Sequence, residues 1–573
     1  MAEILKSDEL QMLLNNKRSG YNYRERRHDD WTENYTLYRD KVIVDRLIQR
    51  QTVNIPLMKT NIRTLLKDVD DMPVLYFENL DDDKQAEMFK NEYWNYTVEE
   101  NNMEVQDIVD KKQVFHFGRS FDQWQIVNGK VKQTIIDVMD ILIDRYTDPT
   151  NIDTARFLIH QHIFTPLSVI ERNEMYDKEA VKRLKTFYAS DMGLIKATSN
   201  EQSLVDKNEK MQDMGLDDVE SPILGETYVE LSLHFVFRAE SENEDEQYWM
   251  YVEADDQEIL MKKPLEEVIG KTKDNFWRNH LNYVTWADDV EKQDFWSDGV
   301  ADIIRPANKV LNAWFSQLVE NRTLRNFGMN FFNSKAEDGF NPGTYQPRPF
   351  GWYGVPGNPA ELIQRVEIPD LSESLDEMTY ITTMAEKATG ATATQQGNVQ
   401  ERQVTLGEIQ LALGEAKERI KGMSKFYTPA WKRRGLLFVK LIEAGADKLD
   451  SVKIYKKGKN TDSIYEREVN PDDWKSEAGY RCKVWSQEEK NTADTNSLQK
   501  INLAKQNMPT NQKLDDIYKR KLLEFANLTP SEINDVMEAE KQQQQLMLGQ
   551  QALMTGQPQL PITPPPTPET YAR

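Results

Sequence analysis

Two histidines are the residues in this chain whose spacing most directly suggests metal chemistry. His160 and His162 alternate along a predicted strand, residues 157–169, so both rings would lie on one face of that strand. A zinc site needs further cysteine, histidine or carboxylate ligands at matching spacing, and none is evident. The pattern therefore favours a structural or surface role for both histidines, and we predict no metal.

A Gly-Lys-Thr triplet at 270–272 invites comparison with a phosphate-binding loop. A Walker A loop needs a glycine five positions before the glycine of the triplet, and that position holds Leu265. The intervening residues predict a helix rather than a glycine-rich cradle. No serine-nucleophile, zinc-protease or paired-cysteine motif occurs either, and the Asp and Glu residues show no two-metal spacing. We therefore predict a protein that is not an enzyme and holds no cofactor.

A basic cluster near the N-terminus carries aromatic side chains between its members. The cations are Lys17, Arg18, Arg24, Arg26, Arg27 and His28, and the aromatics are Tyr21, Tyr23 and Trp31. Such a combination can neutralise and stack on nucleic acid. It can also form a solvated helix face or a contact between subunits, which we favour in a chain this acidic.

The overall charge restricts the classes of DNA-binding protein that fit. The formal net charge is −23, whereas a protein that grips duplex DNA usually has a basic surface. Two interpretations stay open: a soluble acidic protein, or a surface that repels DNA so that DNA slides past it. Cys482 is the only cysteine, which excludes an intrachain disulfide. No stretch is apolar enough to span a membrane, and we expect synthesis in the cytosol.

The elements that would position functional residues lie between residues 296 and 445. A helix is predicted from Asp298 to Leu324, with Pro306 kinking it. Its predicted apolar face consists of Ile303, Ala307, Val310, Leu311, Trp314 and Leu318. A second helix is predicted from Leu371 to Thr389, opened by a capping box of Asp370 and Glu373. Its narrow seam consists of Leu371, Leu375, Met378, Thr382, Ala385 and Thr389, which suits packing between neighbouring helices.

Two irregular segments accompany these helices. Residues 327–369 combine glycines and prolines with many aromatics, and this composition predicts turns and short strands. Aromatic residues are favoured in interface cores, so we prefer an intersubunit and partner surface over a small core under a loop. Residues 391–404 are small or polar and predict a loop. A longer helix follows from Thr405 to Gly445, with Pro429 kinking it.

The flanking regions complete an α+β organisation. Before residue 297, predicted helices alternate with predicted strands, among them a helix over 79–112 and strands over 114–127 and 130–143. Residues 227–238 show the clearest alternation of apolar and polar side chains. Asn128-Gly129 predicts a hairpin turn, and Gly118 a bulge within a strand. Residues 451–455 and 480–485 predict strands that return to this body, and residues 490–545 are predicted to be helical. The Gln- and Pro-rich end predicts a disordered tail.

This order of elements resembles the portal proteins of tailed double-stranded DNA bacteriophages. The most family-like phrases are Asp-Gly-Val-Ala-Asp-Ile-Ile-Arg-Pro-Ala-Asn-Lys-Val-Leu-Asn at 298–312 and Asp-Arg-Tyr-Thr-Asp-Pro-Thr-Asn-Ile-Asp-Thr-Ala-Arg-Phe at 144–157. The resemblance covers most of residues 20–540. It implies a multidomain α+β protein that is mainly helical, with an α/β wing, two stem helices, a small clip insert, a long kinked wing helix and a helical crown.

The resemblance divides the chain into named parts. These are the wing (1–297), first stem helix (298–326), clip (327–369), second stem helix (370–390), tunnel loop (391–404), wing again (405–488), crown (489–545) and disordered tail (546–573). It also assigns site residues. The tunnel-loop residues expected near DNA are Thr394, Gln395, Gln396, Asn398, Gln400 and Arg402. The channel-lining acidic candidates are Glu373, Asp376, Glu377 and Glu386. The clip interface residues are Phe331, Phe332, Phe340, Tyr345, Phe350, Trp352 and Tyr353.

The resemblance further implies partners and a location. A portal forms a ring of about twelve subunits at one capsid vertex. Double-stranded DNA passes through it, and the large terminase motor, the major capsid protein and a tail adaptor or head-completion protein bind it. We expect the virion as its location, with assembly in the host cytoplasm and no membrane partner. The alternatives are a non-viral cytosolic helical scaffold or adaptor and, less favoured, a DNA-packaging nuclease or ATPase.

Overall fold

The structure is a computed structural model, and it describes the greater part of the chain. The described residues are 8–40, 53–68, 72–79, 84–190, 227–240, 245–291, 294–327, 330–332, 363–365, 374–389, 406–445, 448–449, 452–457, 462–467 and 480–485, with isolated positions 500, 518–519, 522 and 536. The chain divides into two compact units. One consists of Met1–Asp450 with Val469–Val484, and the other of Ser451–Glu468 with Trp485–Arg573.

Helices occur along the whole described length. They are α1 (Asp8–Tyr38), α2 (Leu57–Asp68), α3 (Lys84–Glu100), α4 (Met103–Phe117), α5 (Leu167–Arg172), α6 (Lys178–Tyr188), α7 (Leu265–Ile269), α8 (Val300–Phe327), α9 (Ser374–Thr389) and α10 (Leu406–Gly445). The three helices predicted between residues 298 and 445 are α8, α9 and α10. Helix and sheet are mixed throughout the first unit, which confirms the α+β class.

The strands form several small antiparallel sheets. They are β1 (Val74–Asn79), β2 (Arg119–Val127), β3 (Lys130–Ile136), β4 (Ile141–Ile143), β5 (Phe157–Pro166), β6 (Tyr228–Arg238), β7 (Gln247–Ala254), β8 (Glu258–Pro264), β9 (Tyr283–Ala287), β10 (Asn330–Phe332), β11 (Ile363–Arg365), β12 (Val452–Lys457), β13 (Asp462–Arg467) and β14 (Tyr480–Trp485).

The largest sheet has five strands in the order β4-β5-β6-β7-β8. Strands β6 and β7 pair antiparallel from Leu231–Ala254 to Arg238–Gln247, as the alternating sequence predicts. Leu184 of α6 packs with Val229 in one buried cluster, and Leu13 of α1 packs with Tyr251 in another. Helices α1 and α6 thus both pack on this sheet.

A second sheet has the order β3-β2-β9. Asn128 and Gly129 connect β2 and β3 with φ angles of 51° and 73°, which is the conformation of the predicted hairpin turn. The prediction for Gly118 was wrong, because this residue ends α4 rather than interrupting a strand. Its φ is 79°, and its amide donates to the Val114 carbonyl. Glycine is favoured at such a helix end because it lacks a Cβ.

Element boundaries also differ from the sequence prediction between residues 79 and 143. The single helix expected over 79–112 is two helices, separated at Asn102, whose φ is 47°. The strand expected over 130–143 is divided by a 3₁₀ turn at Val138–Asp140, so that β3 and β4 belong to different sheets. Asp137 caps this turn by accepting a hydrogen bond from the Met139 amide. Asn and Asp side chains compete with regular structure in this way.

The two strands expected after the long helix have different partners. Strand β14 pairs with β1, so it does return to the N-terminal body. Strand β12 instead pairs antiparallel with β13 from Val452–Arg467 to Lys457–Asp462. The hairpin formed by β12 and β13 belongs to the second unit.

An aromatic core surrounds the C-terminal half of α10. The rings of Trp94 and Phe438 lie 5.0 Å apart edge to face, and those of Trp94 and Trp124 stack at 6.1 Å. Trp431 packs edge to face on Trp94 at 6.4 Å. Buried aromatic pairs of this kind each add to the stability from area burial. The core therefore holds α10 against α3 and β2.

Candidate functional site: two paired helices and their anchorage

Helices α8 and α9 pack side by side along one buried seam. Met378 and Ala385 of α9 lie in the same buried cluster as Leu311 and Ile304 of α8. Strand β10, which follows α8, pairs antiparallel with β11, which precedes α9. Because the chain leaves one helix and enters the other through paired strands, the two helices run antiparallel with adjacent ends.

The predicted apolar face of α8 was partly wrong. Leu311 is buried, and Ala307, Trp314 and Leu318 pack against the cluster, but Ile303 and Val310 are exposed. The inward positions are instead Val300, Ala301 and Ile304. Helix α8 is apolar on two sides, so spacing alone did not identify the side that packs within the subunit.

The predicted seam of α9 agrees with the structure over most of its described length. Met378 and Ala385 are buried, Thr382 and Thr389 are half-buried, and Leu375 is exposed. Leu371 and the capping pair of Asp370 and Glu373 lie outside the described residues. Threonines within the helix bond to the preceding turn, as Thr382 does by donating to the Met378 carbonyl at 2.9 Å.

Two of the acidic candidates on α9 are exposed to solvent, and a third is half-buried. Asp376 and Glu377 are exposed in the first turn, and Glu386 is half-buried near the other end. Glu373 precedes the described part of the helix. The tunnel-loop residues Thr394, Gln395, Gln396, Asn398, Gln400 and Arg402 also lie outside the described residues.

The clip candidates are described only in part. The backbones of Phe331 and Phe332 belong to β10, paired with Gln364 and Ile363 of β11. The other clip candidates, Phe340, Tyr345, Phe350, Trp352 and Tyr353, lie outside the described residues. Short strands do occur in this insert, as its composition predicts.

The first turn of α8 is fixed by Asp302. Its carboxylate accepts a hydrogen bond from the Gly299 amide at 2.9 Å, which caps the helix. It also accepts from Arg27 at 2.8 Å, Asn34 at 2.9 Å and Arg305 at 3.1 Å. Arg27 and Asn34 belong to α1. The base of the helix pair is therefore fastened to the N-terminal helix by charge-assisted bonds, which are stronger than neutral ones.

Several side chains of the basic N-terminal cluster make contacts of this kind within the chain. Lys17 donates to Asp256 at 2.8 Å, and the buried Arg24 donates to the Met139 carbonyl. Trp31 is fully buried. Exposed members of the cluster are Arg18, Arg26 and His28. These contacts within the chain support neither a nucleic-acid surface nor a wholly solvated face.

Helix α10 is pinned by two adjacent arginines. Arg433 forms a fork on Asp153, with nitrogen–oxygen distances of 2.5 and 2.6 Å, and donates to the Tyr283 and Leu281 carbonyls. Arg434 lies 2.8 Å from Asp110. Consecutive residues on a helix point about 100° apart, so the pair fastens α10 in two directions just after Pro429.

A buried charge cluster surrounds Arg434. Its guanidinium also contacts Asp122 at 3.1 Å, and Trp124 donates to the same carboxylate at 2.7 Å. Burial opposes the charge of Arg434, but Asp122 and Asp110 outweigh it and hold the pKa of Arg434 well above its usual value. Desolvated charges are tolerated only when they are paired and hydrogen-bonded.

The cluster continues to Asp107 on α4. Lys111 lies 2.5 Å from the Asp107 carboxylate, and Tyr427 donates to it. Burial raises the pKa of Asp107, although Lys111 opposes the shift. Sequence reasoning missed this cluster. A signal that could have found it is the pair Arg433-Arg434, which lies just before the apolar run 436–439.

His160 and His162 face different partners. His160 Nδ1 faces the Tyr283 hydroxyl at 3.5 Å, while His162 Nδ1 lies 2.8 Å from Glu230. The register shifts between His160 and Ile163, and His162 has a φ of 60°, so the predicted alternation is broken. Within the described part of the chain, no three His, Cys, Asp or Glu side chains group as metal ligands.

The Gly-Lys-Thr triplet has a structural explanation. The preceding residues form helix α7, as predicted. Gly270 has a φ of 132°, and a Cβ at this position would lie 2.3 Å from the Ala444 carbonyl oxygen. The glycine thus permits close approach to the end of α10. Among the helices described, none is both long and apolar enough to cross a membrane.

Comparison with known protein families gives one match. Residues 57–559 match the family described as Phage SU10 portal protein. The matched range contains α8, α9 and α10. It also contains the residues described above as bonded to these helices, apart from Arg27 and Asn34 of α1. A search of curated proteins found no match.

Proposed function

Because the chain belongs to the phage SU10 portal protein family, we propose that it forms a ring at one capsid vertex. The ring serves as the conduit for packaging and ejecting the viral genome. It is also the attachment point for the packaging motor and the tail. We propose a structural role without catalysis, since the Gly-Lys-Thr triplet serves packing rather than phosphate binding.

The antiparallel pair of α8 and α9 is the observation that supports this proposal best. The two helices share one buried seam, yet both keep large apolar side chains exposed, namely Ile303, Val310, Leu375, Tyr380 and Met384. A helix pair within a lone subunit would normally turn such residues inward. The exposed apolar faces suit struts that are completed by neighbouring copies.

We assign the other parts of the chain from their position in the sequence relative to this helix pair. Helices α8 and α9 are the stem, residues 327–369 the clip, and residues 391–404 the tunnel loop. The α+β body and α10 are the wing, and residues 489–545 are the crown. The clip aromatics meet the motor during packaging and the tail adaptor afterwards, while the wing meets the major capsid protein.

The channel passes DNA without gripping it. The chain carries a formal charge of −23, and an acidic wall repels a polyanion with one charge per about 1.7 Å of axis. The acidic residues of α9 contribute to this wall. Amide side chains of the tunnel loop touch phosphates transiently, and Arg402 supplies its one cation.

The anchorage of α10 gives the tunnel loop a firm base. Arg433 and Arg434 fasten the helix after Pro429, and the preceding residues 406–428 extend from that point for roughly 35 Å at 1.5 Å per residue. The loop precedes this arm directly in the chain. Movement of DNA against the loop is therefore resisted by buried ion pairs in the wing.

The family match favours this proposal over the two alternatives from sequence. A cytosolic scaffold would need no channel, and a packaging nuclease or ATPase would need a site that the described residues do not supply. The energy for DNA movement comes from a separate terminase ATPase.

Imaging of the purified protein tests the proposal most directly. Native mass spectrometry should give a particle of about twelve times the 66.9 kDa chain mass. Negative-stain electron microscopy should show rings with an axial hole. A protein that stays monomeric or forms small closed oligomers without a hole at all concentrations would overturn it.

A further inference from the structure

The exposed side of α8 carries a second apolar seam. Ile303, Pro306, Val310 and Ala313 follow one another at spacings of three, four and three residues. Ile303 is 51% exposed and Val310 38% exposed, although both are large apolar residues. This spacing is that of residues buried between two packed helices. No described element of the same chain covers Ile303 and Val310.

The exposed side of α9 is divided into two flanks of different chemistry. Tyr380, Met384 and Ala388 follow at spacings of four, with Tyr380 66% and Met384 50% exposed. We call this the apolar flank. The opposite flank, here the polar flank, consists of the exposed Asp376 and Thr379 and the half-buried Thr383 and Glu386. Residues spaced three or four apart share one side of a helix, so each flank is continuous.

The two apolar surfaces adjoin the same buried cluster of the helix pair. Val310 and Met384 are the sequence neighbours of Leu311 and Ala385, which share one buried cluster. The antiparallel pairing of β10 with β11 brings the end of α8 beside the start of α9. Subunits related by rotation about a ring axis keep equal heights. Surfaces at the same height are therefore the ones that adjacent copies present to each other.

We infer that the seam Ile303–Pro306–Val310–Ala313 packs against the apolar flank Tyr380–Met384–Ala388 of the adjacent copy. The inference rests on the proposed ring and specifies how its stem closes. The two surfaces differ, so the contact is head to tail, the kind that generates rings rather than two-fold dimers. A second copy is the occupant because one chain supplies both complementary surfaces.

The first turn of α9 carries an exposed acidic residue on the same flank. Glu377 lies three residues before Tyr380 and so falls beside the apolar flank.

The arrangement also assigns the two sides of α9. The apolar flank and Glu377 belong to the contact between subunits. The polar flank, with Asp376 and Glu386, is left for the water-filled bore. Thr379 and Thr383 bond to the preceding turn of their own helix, so their polar groups need no partner across a contact.

Cysteine cross-linking tests the contact. The double variant Val310→Cys with Met384→Cys is oxidised and run on a non-reducing gel. Val310→Cys with Thr383→Cys is the matched control, because Thr383 is one residue away on the polar flank. The parent, with Cys482 alone, controls for the native thiol. We expect a ladder of chain multimers from the test pair and at least ten times less from the control.

Mixing the two single variants, Val310→Cys and Met384→Cys, should give a cross-linked dimer that neither gives alone. Three outcomes would overturn the inference if rings are still seen by microscopy: no ladder, a disulfide confined to single chains, or equal cross-linking of the control. None of them would contradict the proposed ring. Absence of rings in the parent would instead overturn the proposed function.

A second measurement guards against misfolded cysteine variants. Met384→Glu should reduce the ring fraction at least tenfold in native mass spectra, while Thr383→Glu should leave it unchanged. Equal effects of the two variants, with circular dichroism unchanged, would contradict the assignment.

Discussion

Arg434 of α10 and Asp110 of α4 lie 324 positions apart in the sequence and meet at 2.8 Å in the interior. Each side chain is 1% exposed. Asp122 of β2 completes the arrangement at 3.1 Å from the same guanidinium nitrogen. A helix, a strand and the long helix are thus joined by charges that water does not reach.

Removing Arg434 should strongly destabilise the protein. Arg434→Met leaves two buried carboxylates without their cation, and breaking a buried pair in this way costs about 3–5 kcal/mol. Urea unfolding measures the change in free energy. Lys432→Met, an exposed lysine of the same helix, is the control and should change it by less than about 0.5 kcal/mol. A loss below about 1 kcal/mol for Arg434→Met would show that the pair does not hold α10 in place.

The partners of Arg434 could not be predicted from the sequence. Asp110 and Asp122 precede it by more than 300 positions, and they are ordinary among the 95 acidic residues of the chain. Burial of a carboxylate is decided by tertiary packing, which local patterns do not contain. By contrast, β6 and the Asn128-Gly129 turn were predicted well, because a period of two and a turn sequence are local properties.

Gly118 should tolerate no side chain. Its φ is 79°, and an added Cβ would lie 1.9 Å from the Ser297 carbonyl oxygen. Gly118→Ala therefore combines backbone strain with a clash that must move α4 or the start of α8, and we expect a loss of about 3 kcal/mol or more.

Gly129 provides the matched control, since it has a φ of 73° in a hairpin turn. Gly129→Ala should cost about 1–2 kcal/mol from backbone strain alone. Thermal or urea unfolding of both variants measures the difference. Equal losses would mean that the close approach of Ser297 does not constrain Gly118.

His116 should give the protein a measurable acid sensitivity. Burial lowers its pKa to about 4 from an ordinary value of 6.5. Between pH 6.5 and 4 the unfolded chain binds a proton that the folded chain does not, so stability falls as the pH falls. The loss from this group approaches about 3 kcal/mol near pH 4.

His116→Gln should remove that contribution, whatever its effect at pH 7. The measurement is the unfolding free energy of parent and variant from pH 7.5 to 4, compared as a difference so that titrations common to both cancel. A constant difference across this range would show that His116 takes up its proton equally well in the folded protein.

The two apolar sides of α8 show where pattern reading is ambiguous. Ile303 and Ile304 are adjacent, and a spacing of three or four can be drawn through either. The structure buries Ile304 and exposes Ile303, because α9 and the N-terminal helices occupy only one side. In a chain whose copies assemble, the sequence contains both the intrasubunit and the intersubunit pattern. The buried face of α9 was easier to predict than that of α8, since its buried positions form a single line along the helix.

The division of α9 into two flanks predicts unequal effects of its acidic residues on ion flow. Asp376 and Glu386 on the polar flank should make the bore attract cations, because like-signed charges in a confined channel concentrate counter-ions. Rings mounted in a solid-state pore allow the reversal potential to be measured in a salt gradient. Asp376→Asn with Glu386→Gln should lower the cation preference at least twofold at low salt, and less at high salt because screening increases. Glu377→Gln removes one charge from the flank assigned to the neighbouring subunit and should change the preference little. A larger effect from Glu377→Gln than from the double variant would place the apolar flank in the bore and reverse the assignment of both flanks.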